Sequence, residues 1–129
     1  MSELRSFYYP IQIVVGLLVS LHGVYRILNL NEYVGFVMTH FSGGFLPDFV
    51  LVIGSGLFPF LEFFTGLLIC CNVLIRRALW VAFLISIIMS TFILIGSMYE
   101  RLIYHSAVLL GLFLVYLGKK SFKSRRRVI

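Results

Sequence analysis

Charge is what this sequence has least of. Only 12% of its 129 residues are charged, and just five of those are acids. A soluble globular chain carries about 25% charged residues. Here 60% of the residues are hydrophobic, and the mean hydropathy is +1.02. Such a chain cannot cover itself with a water-facing surface, so lipid is its natural solvent. Cysteine is almost as scarce. Cys70 and Cys71 are the only two, and being adjacent they make neither a CxxC pair nor a zinc spacing. Neighbouring cysteines rarely bridge, because the geometry is strained. They read as small apolar side chains near a helix end, with lipid acylation as the functional alternative. Also missing are a phosphate-binding glycine loop, a nucleophile elbow and an HExxH motif. No catalytic nucleophile stands with a partnered base.

Long apolar runs take the place of those signatures. A membrane span needs about 20 mostly apolar residues. Four segments satisfy that length, roughly Tyr8–Leu28, Leu46–Val73, Ala78–Met98 and Leu102–Leu117. The first runs too long for a signal-peptide core and lacks a small-x-small cleavage site, so it reads as a retained span. Pro10 falls in its first turn, where a missing N–H costs little. Gly54, Gly56 and Pro59 loosen the first half of the second run, and Pro59 predicts a bend. Short connections make neighbours antiparallel. The expected fold is therefore all-α, a single transmembrane domain built as an up-down-up-down four-helix bundle. The longest connection, roughly Asn31–Phe45, is rich in Tyr, Val and Phe. It predicts a short helix lying on the membrane surface or folding back into it, with Ser42-Gly43-Gly44 as a flexible exit.

The basic residues set the orientation. Arg5, Arg76, Arg77 and the six of the tail at 118–129 (Lys119, Lys120, Lys123, Arg125, Arg126 and Arg127) fall on one side. Arg101 and Arg26 belong to the other. Both termini are therefore expected in the cytoplasm. Behind an apolar helix the tail predicts attraction to anionic lipid headgroups rather than to nucleic acid, at roughly 1 kcal/mol per basic residue near the surface.

Ionisable residues inside spans are costly, and each is a candidate functional group. There are four: His22, Arg26, Glu62 and His105. A rise of about 1.5 Å per residue places all four in the middle to outer half of the bilayer. His22 and Arg26 are one turn apart on one helix face. A facing Arg26 would hold Glu62 ionised through a charge-assisted bond. The pair reads as a lock on helix register, as the polar floor of a ligand cavity, or as a proton relay. The histidines read as hydrogen-bonded packing residues beside it, and the four match no metal-ligand spacing. Gly16, Ser20 and Gly23 form a stripe that lets another helix approach closely, and Ser86, Ser90 and Ser97 suggest the same for the third span. Phe58, Phe60, Phe63 and Phe64 read as core or lipid-facing residues, or as the walls of a slot for a flat apolar ligand such as a quinone.

Three segments together resemble the DoxX-like family of small membrane proteins. They are Gly23-Val24-Tyr25-Arg26, Leu46-Pro47, and Glu62-Phe63-Phe64-Thr65-Gly66-Leu67-Leu68 followed by Arg76-Arg77. The likeness covers the first two spans and the turn after them. It implies a four-helix membrane fold, with Arg26 and Glu62 as the family's polar pair. Arg stands where Lys is more usual, which keeps the charge but changes its geometry and hydration. The family includes the small subunit of a thiosulfate:quinone oxidoreductase and members of redox or oxidative-stress assemblies.

The expectation is a non-catalytic subunit or accessory factor of a bacterial inner-membrane complex, with membrane lipids and a partner membrane protein or further copies of itself as neighbours. A quinone is the candidate cofactor. The alternative is a small oligomeric transporter or channel that uses the Arg/Glu/His cluster.

Overall fold

A computed structural model describes the backbone of residues 2–126 and the side chains of residues 7–120. The described residues form five helices: α1 (Ser2–Leu28), α2 (Leu30–Phe41), α3 (Asp48–Cys70), α4 (Ile75–Ile95) and α5 (Tyr99–Arg126). Four contain stretches long and apolar enough to cross a membrane: Phe7–Leu28, Asp48–Cys70, Ile75–Ile95 and Tyr99–Lys120. At about 1.5 Å per residue, each of these spans the roughly 30 Å of a hydrocarbon core. Large apolar side chains such as Leu21, Ile53, Leu84 and Ile103 point outward. That surface is stable only against lipid or another apolar partner.

The helix ends differ from the sequence expectation in instructive ways. Within the span expected from about Leu46, Pro47 and Asp48 read as the helix start, and the chain does enter α3 at Asp48, because Pro47 is extended (φ −61°, ψ 144°) and stands just outside the helix. Pro59 sits within α3 without ending it. α3 stops at Cys70, where Asn72 and Leu74 take positive φ (58° and 46°) and reverse the chain. Arg76 and Arg77 then open the third span, in the first turn of α4. α4 ends at Ile95, so Ser97 (φ 54°) lies in the next turn, exposed, and is no part of a helix-packing stripe. Tyr99-Glu100-Arg101, the short connection left between the third and fourth expected spans, is instead the first turn of α5. α5 runs through Gly118 into the basic tail as far as Arg126, since Lys and Arg are good helix formers. Gly118 does not break the helix. It lies under the Tyr8 ring, where a Cβ would come within 2.6 Å of Cδ1.

α1 and α4 each pack against both α3 and α5, which closes a ring of four, and α2 lies mainly against α3. The closest seam is α1 on α3. A Cβ on Gly16 would stand 2.9 Å from the Gly66 carbonyl, one on Gly23 2.7 Å from the Pro59 carbonyl, and one on Gly66 2.6 Å from the Gly16 carbonyl and against the Ser20 amide. The stripe of Gly16, Ser20 and Gly23 thus brings two backbones together, as small residues do where lipid supplies no hydrophobic drive. Cys70 belongs to the same seam: its thiol is directed at the Ile13 carbonyl (3.6 Å), and only Cys71 is exposed.

The apolar core fills one end of the ring. Val15 and Val19 of α1, Ile69 of α3, Leu79 and Ala82 of α4, and Val108, Leu112 and Val115 of α5 form it. At its margin Gln12 is only 1% exposed. Its amide donates to the Ile69 carbonyl (2.8 Å) and reaches the Asn72 side-chain oxygen (3.3 Å), which also accepts from Lys119 (2.8 Å). Ile69 is in the last turn of α3, where carbonyls lack helical partners. Gln12 therefore caps a neighbouring helix from within the bundle.

Candidate functional site

The other end of the ring is organised around charge. His22 and Arg26 stand one turn apart on α1, and Gly23 between them lies against the backbone of Pro59 and Phe63 on α3. That contact sets α1 close to α3 at the level of Glu62. The Arg26 Nη1 atom lies 3.0 Å from each oxygen of the Glu62 carboxylate. Both residues are buried, 9% and 6% exposed. In a low-dielectric setting such a pair holds only if its hydrogen bonds are well made. The guanidinium also lies over the Tyr33 ring of α2, 4.8 Å from its centroid, a cation–π contact. Tyr33 directs its hydroxyl at the Met89 sulfur (3.8 Å). Burial raises the Tyr33 phenol above its ordinary pKa of 10.0; the Arg26 charge opposes that shift and the Glu62 charge adds to it.

His22 stacks on Tyr104 of α5 (centroids 4.7 Å apart, planes at 27°) and meets the edge of His105 at 6.1 Å. The Tyr104 hydroxyl is directed at the Leu18 carbonyl (3.3 Å). His22, Arg26, Glu62 and His105, drawn from α1, α3 and α5, thus gather in one region. Among the described residues no group of three or more His, Cys, Asp or Glu is placed to hold a metal ion.

Two spaces adjoin the cluster. The larger is a cavity of about 850 Å³ reached by all five helices, with His22, Arg26 and His105 in its wall. Its other walls are mainly apolar and aromatic: Tyr33, Phe36 and Phe41 of α2, Phe49 and Phe58 of α3, Met89 and Phe92 of α4. Arg101 joins them, its guanidinium 4.5 Å from the Phe36 ring centroid. The volume is that of a site for a whole small molecule, roughly 300–1,000 Å³. Phe49 and Ile53 in its wall are also exposed, so the cavity reaches the outer surface of the ring. The smaller space holds about 20 Å³, between His22, Glu62, Ser86, Tyr104 and His105.

Of the phenylalanines around Glu62, Phe58 lines the cavity, whereas Phe60 and Phe64 face outward. Sequence reasoning missed Tyr33, Tyr104, Arg101 and Gln12. Tyr104 carried a faint signal as the neighbour of His105. Gln12 was the one detectable by rule, being a polar side chain within a span. Tyr33 and Arg101 become visible only once α2 folds back over the ring. No family model, curated protein or solved structure matches this chain.

Proposed function

We propose that this chain is a four-span inner-membrane protein with both ends in the cytoplasm, and that it serves as a non-catalytic, ligand-holding subunit of a membrane complex. The single observation that carries this reading is the cavity of about 850 Å³, apolar along its walls and edged by Arg26, His22 and His105. Apolar walls with a few convergent polar groups are the usual make-up of a small-molecule site. Arg26 turns one nitrogen to Glu62, and a guanidinium has five N–H donors in all. Its charge is already balanced by Glu62, which favours a neutral oxygen acceptor over a second anion. A hydrophobic molecule with a carbonyl head suits this, and a quinone is one. The resemblance of the Arg26 and Glu62 segments to DoxX-like proteins supports the same class, as does the charge asymmetry for the membrane orientation.

A transport reading needs a path onward from the cavity. The packed core of Leu79, Leu112 and Val115, at most 2% exposed, lies at the other end and weighs against it.

The test is purification in mild detergent from the native membrane, with mass spectrometry of co-purifying lipids, cofactors and proteins. The expected result is a near-stoichiometric hydrophobic carbonyl compound, together with a partner membrane protein, and loss of the compound in Arg26→Gln. A lone homo-oligomer that carries only bulk lipid would overturn the reading.

A further inference from the structure

The space of about 20 Å³ beside the ion pair has unusual walls. Nε2 of His22 is buried and without a hydrogen-bond partner. Ser86 Oγ on α4 and the His105 ring on α5 make no hydrogen bond to another described residue either, although Ser86 is only 7% exposed and His105 5%. The fourth polar wall is Glu62 of α3, whose carboxylate takes its described bonds from Arg26 alone. A polar atom buried as deeply as Nε2 of His22 is almost always satisfied, by protein or by ordered water. The space is wide enough for one molecule of water, which needs about 10–15 Å³ and two to four polar partners.

We propose that this chamber is a water-binding site, in which one internal water joins His22 of α1, Glu62 of α3, Ser86 of α4 and His105 of α5. Water suits the wall because it both donates and accepts. It donates to the Glu62 carboxylate and accepts from a hydroxyl or a ring N–H. At Nε2 of His22 it does either, according to the tautomer. One molecule thereby bridges all four spans at the level of the ion pair. His22 also borders the larger cavity. Tyr104 and His105 border both spaces as well, so the site places exchangeable protons one side chain away from whatever occupies the cavity. The site does not depend on what that occupant is.

The chain has three histidines, which makes the test clean. The protein is labelled with ¹⁵N-histidine, reconstituted in lipid bilayers and measured by water-edited solid-state NMR, with His40→Asn and His105→Asn used for assignment. His40 is exposed and serves as the internal reference. Magnetisation is expected to pass from water to the His22 and His105 rings at short mixing times. Ala82 and Ser86 line the small chamber and not the large cavity. Ser86→Val and the bulkier Ala82→Leu should each cut the transfer to His22 several-fold and leave His40 unchanged. Ser86→Val keeps the test open if Ala82→Leu does not fold. Absence of transfer to His22 in the unmodified protein would overturn the proposal. So would transfer that survives in a folded variant with the chamber filled, since the water would then come from the larger cavity.

Discussion

The two ends of the four-helix ring are built on opposite principles. At one end Val15, Ile69, Leu79, Leu112 and Val115 interlock, and the buried Gln12 side chain is spent on the Ile69 carbonyl in the last turn of α3. At the other end the helices stand apart around about 850 Å³, and the buried ionisable groups Arg26, Glu62 and His105 gather there instead. The α1–α3 seam runs through both, with Gly16 and Gly66 in the first and Gly23 beside the ion pair in the second. One rigid seam thus lets one end close and the other stay open. Space at the second end is a property of the fold and not slack packing throughout.

The sharpest way to break this contrast is to unbalance the open end. Arg26→Met leaves the Glu62 carboxylate buried without its partner, which costs about 3–5 kcal/mol. Unfolding in mixed micelles should show that loss, and Arg26→Met with Glu62→Leu should recover much of it. If the double variant is no better than the single, the pair is not the local source of stability. Next comes the seam. Gly66→Ala drives a Cβ into the backbone of Gly16 and Ser20, an overpacking that costs about 1–3 kcal/mol. Gly56→Ala has nothing within 4 Å and should instead gain up to about 1 kcal/mol from helix propensity. Equal effects at the two glycines would contradict the seam. At the closed end, Gln12→Leu removes the shorter of two hydrogen bonds to the Ile69 carbonyl, the Asn72 amide keeping the other (3.2 Å), and should cost about 0.5–1.5 kcal/mol, without changing what binds in the cavity. The smallest effect is spectroscopic. The difference between the ultraviolet pH titrations of the protein and of Tyr33→Phe should place the Tyr33 phenolate above the ordinary tyrosine range. Burial disfavours the charged form, so the neutral phenol persists to higher pH. Titration at or below pH 10 would put Tyr33 in water.

Much of the fold is written in hydropathy. The four spans, the helix in the long connection and the close-packing stripe of Gly16, Ser20 and Gly23 are each carried by local pattern, and all have counterparts in the structure. Boundaries were legible less well, because they depend on single backbone choices. Leu74 and Ser97 turn the chain through positive φ, and the Tyr8 ring accommodates Gly118 inside a continuous α5. In the site, depth alone singled out His22, Arg26, Glu62 and His105, since lipid makes any ionisable residue conspicuous. The partners that shape the space were hidden. Tyr33 and Phe36 lie in a segment whose place over the ring depends on α2 packing against α3. Tyr104 stacks on His22 across a sequence gap that no periodicity reveals.

The most direct test of a closed end and a ligand-holding end is native mass spectrometry of the protein released from lipid nanodiscs, alone and as Val50→Trp. Val50 lies in the cavity wall and is partly exposed, so tryptophan there fills the space without entering the packed core. The account predicts one hydrophobic molecule retained per chain in the unmodified protein, and its loss in Val50→Trp with the fold intact. The account would be contradicted by a chain that retains nothing beyond bulk lipid, or by a molecule that stays bound when the cavity is filled.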